Sequence, residues 1–152
     1  MRLRALTAFL FCLPGLASAE LLLGAGYVNG VIGPNIEWAG ERNTFYILPG
    51  GHVASRGWDG FDEVRWVAGM RRRIERGRTA ESGFFTGVLA GDLDGRHQRE
   101  RLGAGAELGY QWVNEHTRWT VSSGMAVLEE VEERNEDVEP RLTIGVTATL
   151  RR

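Results

Sequence analysis

The strongest constraint in this sequence is an alternation of apolar residues with polar or small ones, which recurs at a period of two over most of the chain. It is clearest in the segment 140–152, where every second residue is apolar: Leu142, Ile144, Val146, Ala148 and Leu150. Successive side chains of a β-strand point to opposite faces, whereas a helix repeats about every 3.6 residues. Because no segment keeps a helical spacing, the chain is predicted to be all-β.

Eight segments fit the strand pattern, and Gly, Asn and charged residues mark the connections between them. The predicted strands are 21–29, 35–40, 44–54, 63–71, 82–91, 102–113, 118–128 and 140–152. Several of these are near the length of about 9–11 residues that a tilted strand needs to cross a membrane. The predicted fold is an eight-stranded antiparallel up-and-down (meander) β-barrel.

The sixth and seventh predicted strands specify a pairing register. If residues 114–117 form the turn, Val113 pairs with Arg118 and Trp112 lies opposite Trp119. The same register aligns Tyr110 with Val121, Leu108 with Ser123, Ala106 with Met125, and Ala104 with Val127. One face is then almost entirely apolar and ends in an aromatic pair. Such a pair is typical of the aromatic girdle of a membrane barrel, and equally of the core of a soluble sandwich.

The size of the polar residues favours one orientation of the strands. A soluble barrel presents long charged side chains to water, but here the polar faces are mostly small: Gly103, Gly105, Gly109, Thr120, Ser122, Gly124, Thr143, Gly145, Thr147 and Thr149. Small residues suit the narrow lumen of an eight-stranded barrel. Glu63, Arg65, Arg71 and Glu107 share this face and are expected to pair inside. The apolar faces are therefore predicted to point outward.

The N-terminal segment has the features of a secretory signal peptide. Arg2 and Arg4 precede the apolar run 5–13, and Ala17-Ser18-Ala19 forms a small-residue cleavage site. The predicted organisation is a signal peptide at 1–19 followed by a single β-barrel domain at 20–152.

Composition excludes several function classes. The only cysteine, Cys12, falls within the predicted signal peptide, so the mature chain is expected to form no disulfide and no thiolate metal site. The net charge of −2, from 18 basic and 20 acidic residues, argues against a nucleic-acid partner.

Candidates for catalysis or metal binding are sparse. His52, His97 and His116 have no ligand spacing to one another, and neither HExxH nor CxxC occurs. A lipase would need a serine activated by a histidine, but Ser122 and Ser123 lie in mid-strand on opposite faces. No catalytic, cofactor-binding or metal site is predicted, and the chain is not expected to be an enzyme.

Two charge clusters allow more than one interpretation. The acidic segment 129–139 is either a solvated loop or a contact for divalent cations or a basic partner. The arginine cluster (Arg71, Arg72, Arg73, Arg76 and Arg78) is predicted at the periplasmic rim, where it would either meet anionic phospholipid headgroups or be partly neutralised by Glu75 and Glu81.

The signal peptide, the glycine-rich alternation and the stretch RLGAGAELGYQW at 101–112 together resemble the small eight-stranded outer-membrane barrels of Gram-negative bacteria, the OmpA/OmpX-like group. The resemblance implies a monomer in the outer membrane, in contact with its lipids and lipopolysaccharide, with a structural or interaction role at the cell envelope. An eight-stranded lumen is too narrow for general conduction. Two alternatives stay open: a soluble periplasmic lipocalin-like barrel that binds an apolar ligand, and a barrel enzyme that modifies lipid A.

Overall fold

The computed structural model describes residues 19–54, 57–58, 64–74, 78–93, 102–128 and 140–151. The predicted signal peptide, apart from Ala19, and the acidic segment 129–139 lie outside the described residues, as do Glu63, Arg76 and His97.

The described chain is all-β and forms a closed antiparallel meander barrel of eight long strands, which confirms the predicted fold class. Each barrel strand pairs with its neighbours along the chain, and the first strand pairs with the last to close the barrel. A short ninth strand, β4, pairs only with the end of β3. The strands are β1 Glu20–Val28, β2 Val31–Ala39, β3 Asn43–Ala54, β4 Gly57–Trp58, β5 Arg65–Arg73, β6 Gly83–Asp92, β7 Leu102–Val113, β8 Thr117–Leu128 and β9 Pro140–Leu150.

The predicted register between β7 and β8 is confirmed pair by pair. Val113 pairs with Arg118, Trp112 with Trp119, and the ladder continues to Ala104 and Val127. The backbone N–H of Asn114 donates to the carbonyl of Thr117 at 2.9 Å, which closes the turn.

The strands are strongly staggered around the barrel. The stagger is measured by following cross-strand partners once around the barrel, starting from Arg73 on β5. The successive partners are Phe85, Gly109, Ser122, Gly145, Val28, Val31 and His52. His52 lies beyond the far end of the ladder between β3 and β5, which runs from Arg72 to Arg65 on β5. One circuit therefore shifts the register by about ten residues, which corresponds to a strand tilt of about 40°. Residues at equal height on neighbouring strands are offset by about one residue.

The second strand begins earlier than predicted. The sequence pattern placed its start at residue 35, but β2 starts at Val31, directly after a two-residue turn. That turn consists of Asn29 and Gly30, whose φ angles of 49° and 96° lie in the left-handed region that a type I′ hairpin turn requires. Pro34 interrupts the alternation in the sequence and obscures this strand, although it pairs with Ala25 of β1.

The predicted orientation of the two faces is confirmed. The outward side chains of Leu108 and Ile144 are 57% and 50% exposed, whereas the inward side chains of Glu107 and Thr147 are 3% and 1% exposed. We call the end where β1 begins and β9 ends the terminal end, and the opposite end, where the segments 55–63, 94–101 and 129–139 connect strands, the loop end.

Candidate functional site: the aromatic belt and the interior charge network

A network of buried charges centred on Arg71 lies inside the barrel. Its guanidinium group lies between two carboxylates: Nε is 3.0 Å from Oε1 of Glu107, and Nη1 is 3.5 Å from Oε1 of Glu37. Nη1 also donates to the hydroxyl oxygen of Thr120 at 3.2 Å. Because charges buried without partners are costly, this arrangement lets three strands place charged side chains in the interior.

Two aromatic rings flank the same guanidinium. The Arg71 Cζ atom lies 4.1 Å from the ring centroid of Tyr46 and 5.1 Å from that of Phe85, which are cation–π distances. The Tyr46 hydroxyl donates to Oε1 of Glu107 at 3.3 Å. Arg71 is thus held by carboxylates and covered by aromatic faces.

A second arginine extends the network toward the terminal end. Nη1 of Arg118 lies 3.6 Å from Oε2 of Glu37, and its Nη2 donates to Thr44 Oγ1 at 2.9 Å and to Gln111 Oε1 at 3.0 Å. Glu37 therefore lies between Arg71 and Arg118. Asn35 fixes the carboxylate from its own strand, since its Nδ2 donates to Glu37 Oε1 at 2.7 Å.

The interior toward the loop end is apolar and is followed by another ion pair. A buried cluster fills this half: Val28, Val31, Tyr46, Leu48, Val67, Leu89, Leu93, Ala126 and Leu128. Arg65, at the start of β5, lies 3.0 Å from the Asp92 carboxylate at the end of β6. The described interior therefore changes from charged to apolar and back to charged along the barrel axis.

Glycines make room for the largest interior side chains. A Cβ atom at Gly69 would lie 2.6 Å from Cε1 of Tyr46, and one at Gly109 would lie 2.5 Å from Cζ of Phe85. Glu107 is flanked in the same way, because its cross-strand partners are Gly87 and Gly124. The volume of these large side chains explains why so many of the other inward positions are occupied by glycine.

The described residues 78–82 of the connection between β5 and β6 lie across the terminal end of the barrel. Nε2 of Gln111 donates to the carbonyls of Thr79 at 2.9 Å and Glu81 at 2.6 Å. The Thr79 hydroxyl donates to the carbonyl of Gly40, and Arg73 Nη2 donates to the carbonyl of Ser82 at 2.9 Å. The turn therefore covers the charged interior at this end.

The outward face at the terminal end carries a band of aromatic side chains, which we call the aromatic belt. Phe84 and Tyr110 meet edge to face with centroids 4.9 Å apart, and the rings of Tyr110 and Trp112 lie 4.8 Å apart. Measured along the barrel axis, with the stagger between neighbouring strands taken into account, the belt is about 6 Å high. Its members in the described strands are Trp38, Phe45, Phe84, Tyr110, Trp112 and Trp119.

Beyond the belt, the outward face is almost free of charge. Exposed apolar side chains continue toward the loop end on most of the long strands, for example Val88, Met125 and Leu142. Among the described outward strand positions, Arg72 alone is charged, and it lies at the height of the aromatic belt.

The predicted arginine cluster is divided between two environments, so its assignment to the rim is wrong for part of it. Arg71 and Arg73 are buried in the interior, while Arg72 and Arg78 are exposed. The reason is the period of the strand, since β5 continues to Arg73 and alternates its side chains between the two faces. Arg76 lies outside the described residues.

Among the candidates whose side chains the structure describes, the histidine and the two serines are not brought together; the side chains of His52 and His97 lie outside the described residues. His116 is exposed in the turn before β8, Ser122 is buried in mid-strand and Ser123 faces outward. No group of three or more His, Cys, Asp or Glu side chains in the described ranges is arranged to hold a metal ion.

Sequence reasoning found Arg65, Arg71 and Glu107 as interior charges but did not single out Glu37, Tyr46 or Gln111. The alternation does carry the signal for Glu37, because it stands between the outward residues Ile36 and Trp38. Its contact with Thr147, 110 residues away, depends on closure of the barrel.

Comparison of the sequence with protein-family models, with curated proteins and with solved structures found no match. In the described part of the chain, no helix has the length and hydropathy needed to cross a membrane.

Proposed function

We propose that this chain is a small outer-membrane β-barrel with a structural or interaction role at the cell envelope, acting as a monomer in contact with outer-membrane lipids and lipopolysaccharide. One observation carries the proposal: the described outward face is predominantly apolar, with Arg72 as its only charge, while Arg65, Arg71, Glu37 and Glu107 are buried inside. This distribution is the inverse of that of a water-soluble protein, and it suits a barrel surrounded by lipid.

The dimensions of the apolar face support the same proposal. From Leu102 to Trp112, β7 rises about 25 Å at a spacing of about 3.3 Å per residue and a tilt of about 40°. This matches the apolar band of about 25 Å in outer-membrane barrels. The aromatic belt lies at one end of that height, where amphipathic rings are favoured at the headgroup level.

The interior supports a structural rather than a conducting or ligand-binding role. A lipocalin-like barrel would need an apolar cavity in its lumen, whereas the described lumen holds the charge network, the apolar cluster and a turn across its terminal end. The acidic segment 129–139, outside the described residues, stays a prediction as a contact for divalent cations or a basic partner.

A pair of cysteine variants tests the proposal. Ser122 and Ser123 are neighbours on β8 but face inward and outward, and Ser→Cys changes the side-chain volume little at either position. We expect an environment-sensitive thiol probe on Ser123→Cys to be quenched by brominated lipids after the mature chain is folded into vesicles. Ser122→Cys should stay unlabelled until the barrel is unfolded.

Rapid labelling of Ser123→Cys by a membrane-impermeant maleimide, together with an absence of lipid quenching, would contradict the membrane location. Heat-dependent gel mobility checks that both variants form a closed barrel. Recovery of the native chain in the detergent-soluble envelope fraction, rather than in the periplasmic fraction, is the corresponding result in cells.

A further inference from the structure

Among the described outward positions at the height of the aromatic belt, a charged side chain occurs on one strand only, β5. Around the terminal end, most outward positions at this height are apolar or aromatic: Leu21, Trp38, Phe45, Phe84, Tyr110, Trp112, Trp119 and Leu150. Besides Arg72, the uncharged Asn43 is an exception. On β5 the same level is occupied by Arg72, which is exposed and pairs with Asn43 on one side and Thr86 on the other.

We propose that Arg72 forms a binding site for the headgroup of an anionic phospholipid in the leaflet at the terminal end of the barrel. This inference rests on the proposed membrane location and adds a lipid class to it. The register places Arg72 between two strands that carry belt residues on the same face, Phe45 on β3 and Phe84 on β6, each two residues from the direct partner of Arg72 on that strand.

The chemistry of the position favours an anion. A charge on the outward face is costly at the centre of a bilayer, and the cost falls toward the headgroups. At the belt, the long arginine side chain can extend its guanidinium to the headgroup level while its methylene groups stay beside lipid. The planar guanidinium donates two parallel hydrogen bonds to a phosphate, which an ammonium group cannot do.

The surroundings provide no acid on the same face. Among the described outward strand positions there is no Asp or Glu. The turn between β2 and β3 lies next to the end of β5, because the Arg73 N–H donates to the Arg42 carbonyl at 3.1 Å. This turn carries Arg42 and Glu41, and both are exposed. Arg42 and Glu41 carry opposite charges, as do the exposed Arg78 and Glu81 of the neighbouring turn, so among the described residues at this part of the rim the excess positive charge comes from Arg72.

Native mass spectrometry of the folded barrel in a nonionic detergent tests the site. The protein is titrated with phosphatidylglycerol and, separately, with phosphatidylcholine that has the same acyl chains. We expect wild-type protein to bind phosphatidylglycerol about fivefold more tightly, the effect of one arginine near an anionic surface. Arg72→Gln should reduce this ratio to about one, and Arg72→Lys should retain part of the preference.

Arg151→Gln is the matched control. Arg151 lies at the same end of the barrel, but its Nη2 is 3.5 Å from the Glu20 carboxylate and it follows the last strand. We expect Arg151→Gln to keep the wild-type ratio. An unchanged ratio in Arg72→Gln, an equal loss in Arg151→Gln, or no preference in the wild-type protein would overturn the proposal.

The two proposals fail differently. Heat-dependent gel mobility after folding into phosphatidylcholine vesicles reports insertion for the wild type and both glutamine variants. A wild-type chain that does not insert contradicts the membrane location. A chain that inserts but binds both lipids equally contradicts only the Arg72 site.

Discussion

Tyr46 and Gly69 lie opposite each other in the ladder between β3 and β5, and the tyrosine ring occupies the space that a side chain at position 69 would fill. The same ring covers the guanidinium of Arg71 at 4.1 Å. A residue without a side chain on one strand thus allows an aromatic residue on the next to stabilise a buried charge.

We expect Gly69→Ala to lower the free energy of unfolding by about 1–3 kcal/mol, because the added methyl group displaces a packed ring. Urea titration in detergent micelles, followed by tryptophan fluorescence, measures the change. Ala68→Val is the control, since this neighbour points outward and should shift stability by less than about 0.5 kcal/mol. Equal stability of Gly69→Ala and wild type would show that the ring is not confined.

Arg71→Met should destabilise the barrel by about 3–5 kcal/mol, because Glu37 and Glu107 lose the cation between them. Combining it with Glu107→Gln should recover part of the loss. The adjacent Arg72→Gln, on the outward face, should leave the unfolding midpoint nearly unchanged. If Arg71→Met and Arg72→Gln had similar midpoints in the same urea titration, the charge network would not contribute to stability.

Ser123→Arg tests whether the middle of the outward face lies in the centre of a bilayer. Ser123 is midway between Trp119 and Val127 on β8. In a bilayer we expect a loss of about 2–4 kcal/mol, compared with about 0–1 kcal/mol for Leu150→Arg near the terminal end. Unfolding in lipid vesicles gives both values. Similar small losses for the two variants would mean that this face is hydrated.

Gln111→Leu should loosen the turn that covers the terminal end, because the carbonyls of Thr79 and Glu81 lose their shared donor. We expect faster tryptic cleavage after the exposed Arg78, measured by mass spectrometry of the folded protein. Glu115→Gln, in a different turn at the same end, should cleave at the wild-type rate. Unchanged cleavage in Gln111→Leu would mean that other contacts hold the turn.

The alternation in the sequence was sufficient to predict the barrel, the register of β7 and β8, and which faces point outward. These features depend on the two-residue period and on one short turn, both of which are local. The early start of β2 was also encoded locally, by Asn29-Gly30, but Pro34 obscured it.

The interior network was only partly predictable. Parity along β5 and β7 places Arg71 and Glu107 inside, but the choice of partners depends on the stagger between strands that are far apart in the sequence. Arg118 and Glu37, for example, come together only because the barrel closes. The prediction that the arginines at 71–78 share the rim is wrong for a simpler reason: β5 continues to Arg73, and its alternation places Arg71 and Arg73 inside.

Glu37 accepts a hydrogen bond from Thr147, which belongs to the opposite end of the chain. An incomplete sheet would leave the charges on β2 and β5 without several of the groups that stabilise them. Intermediates with an open seam should therefore be poorly populated, and the barrel should close in one cooperative event.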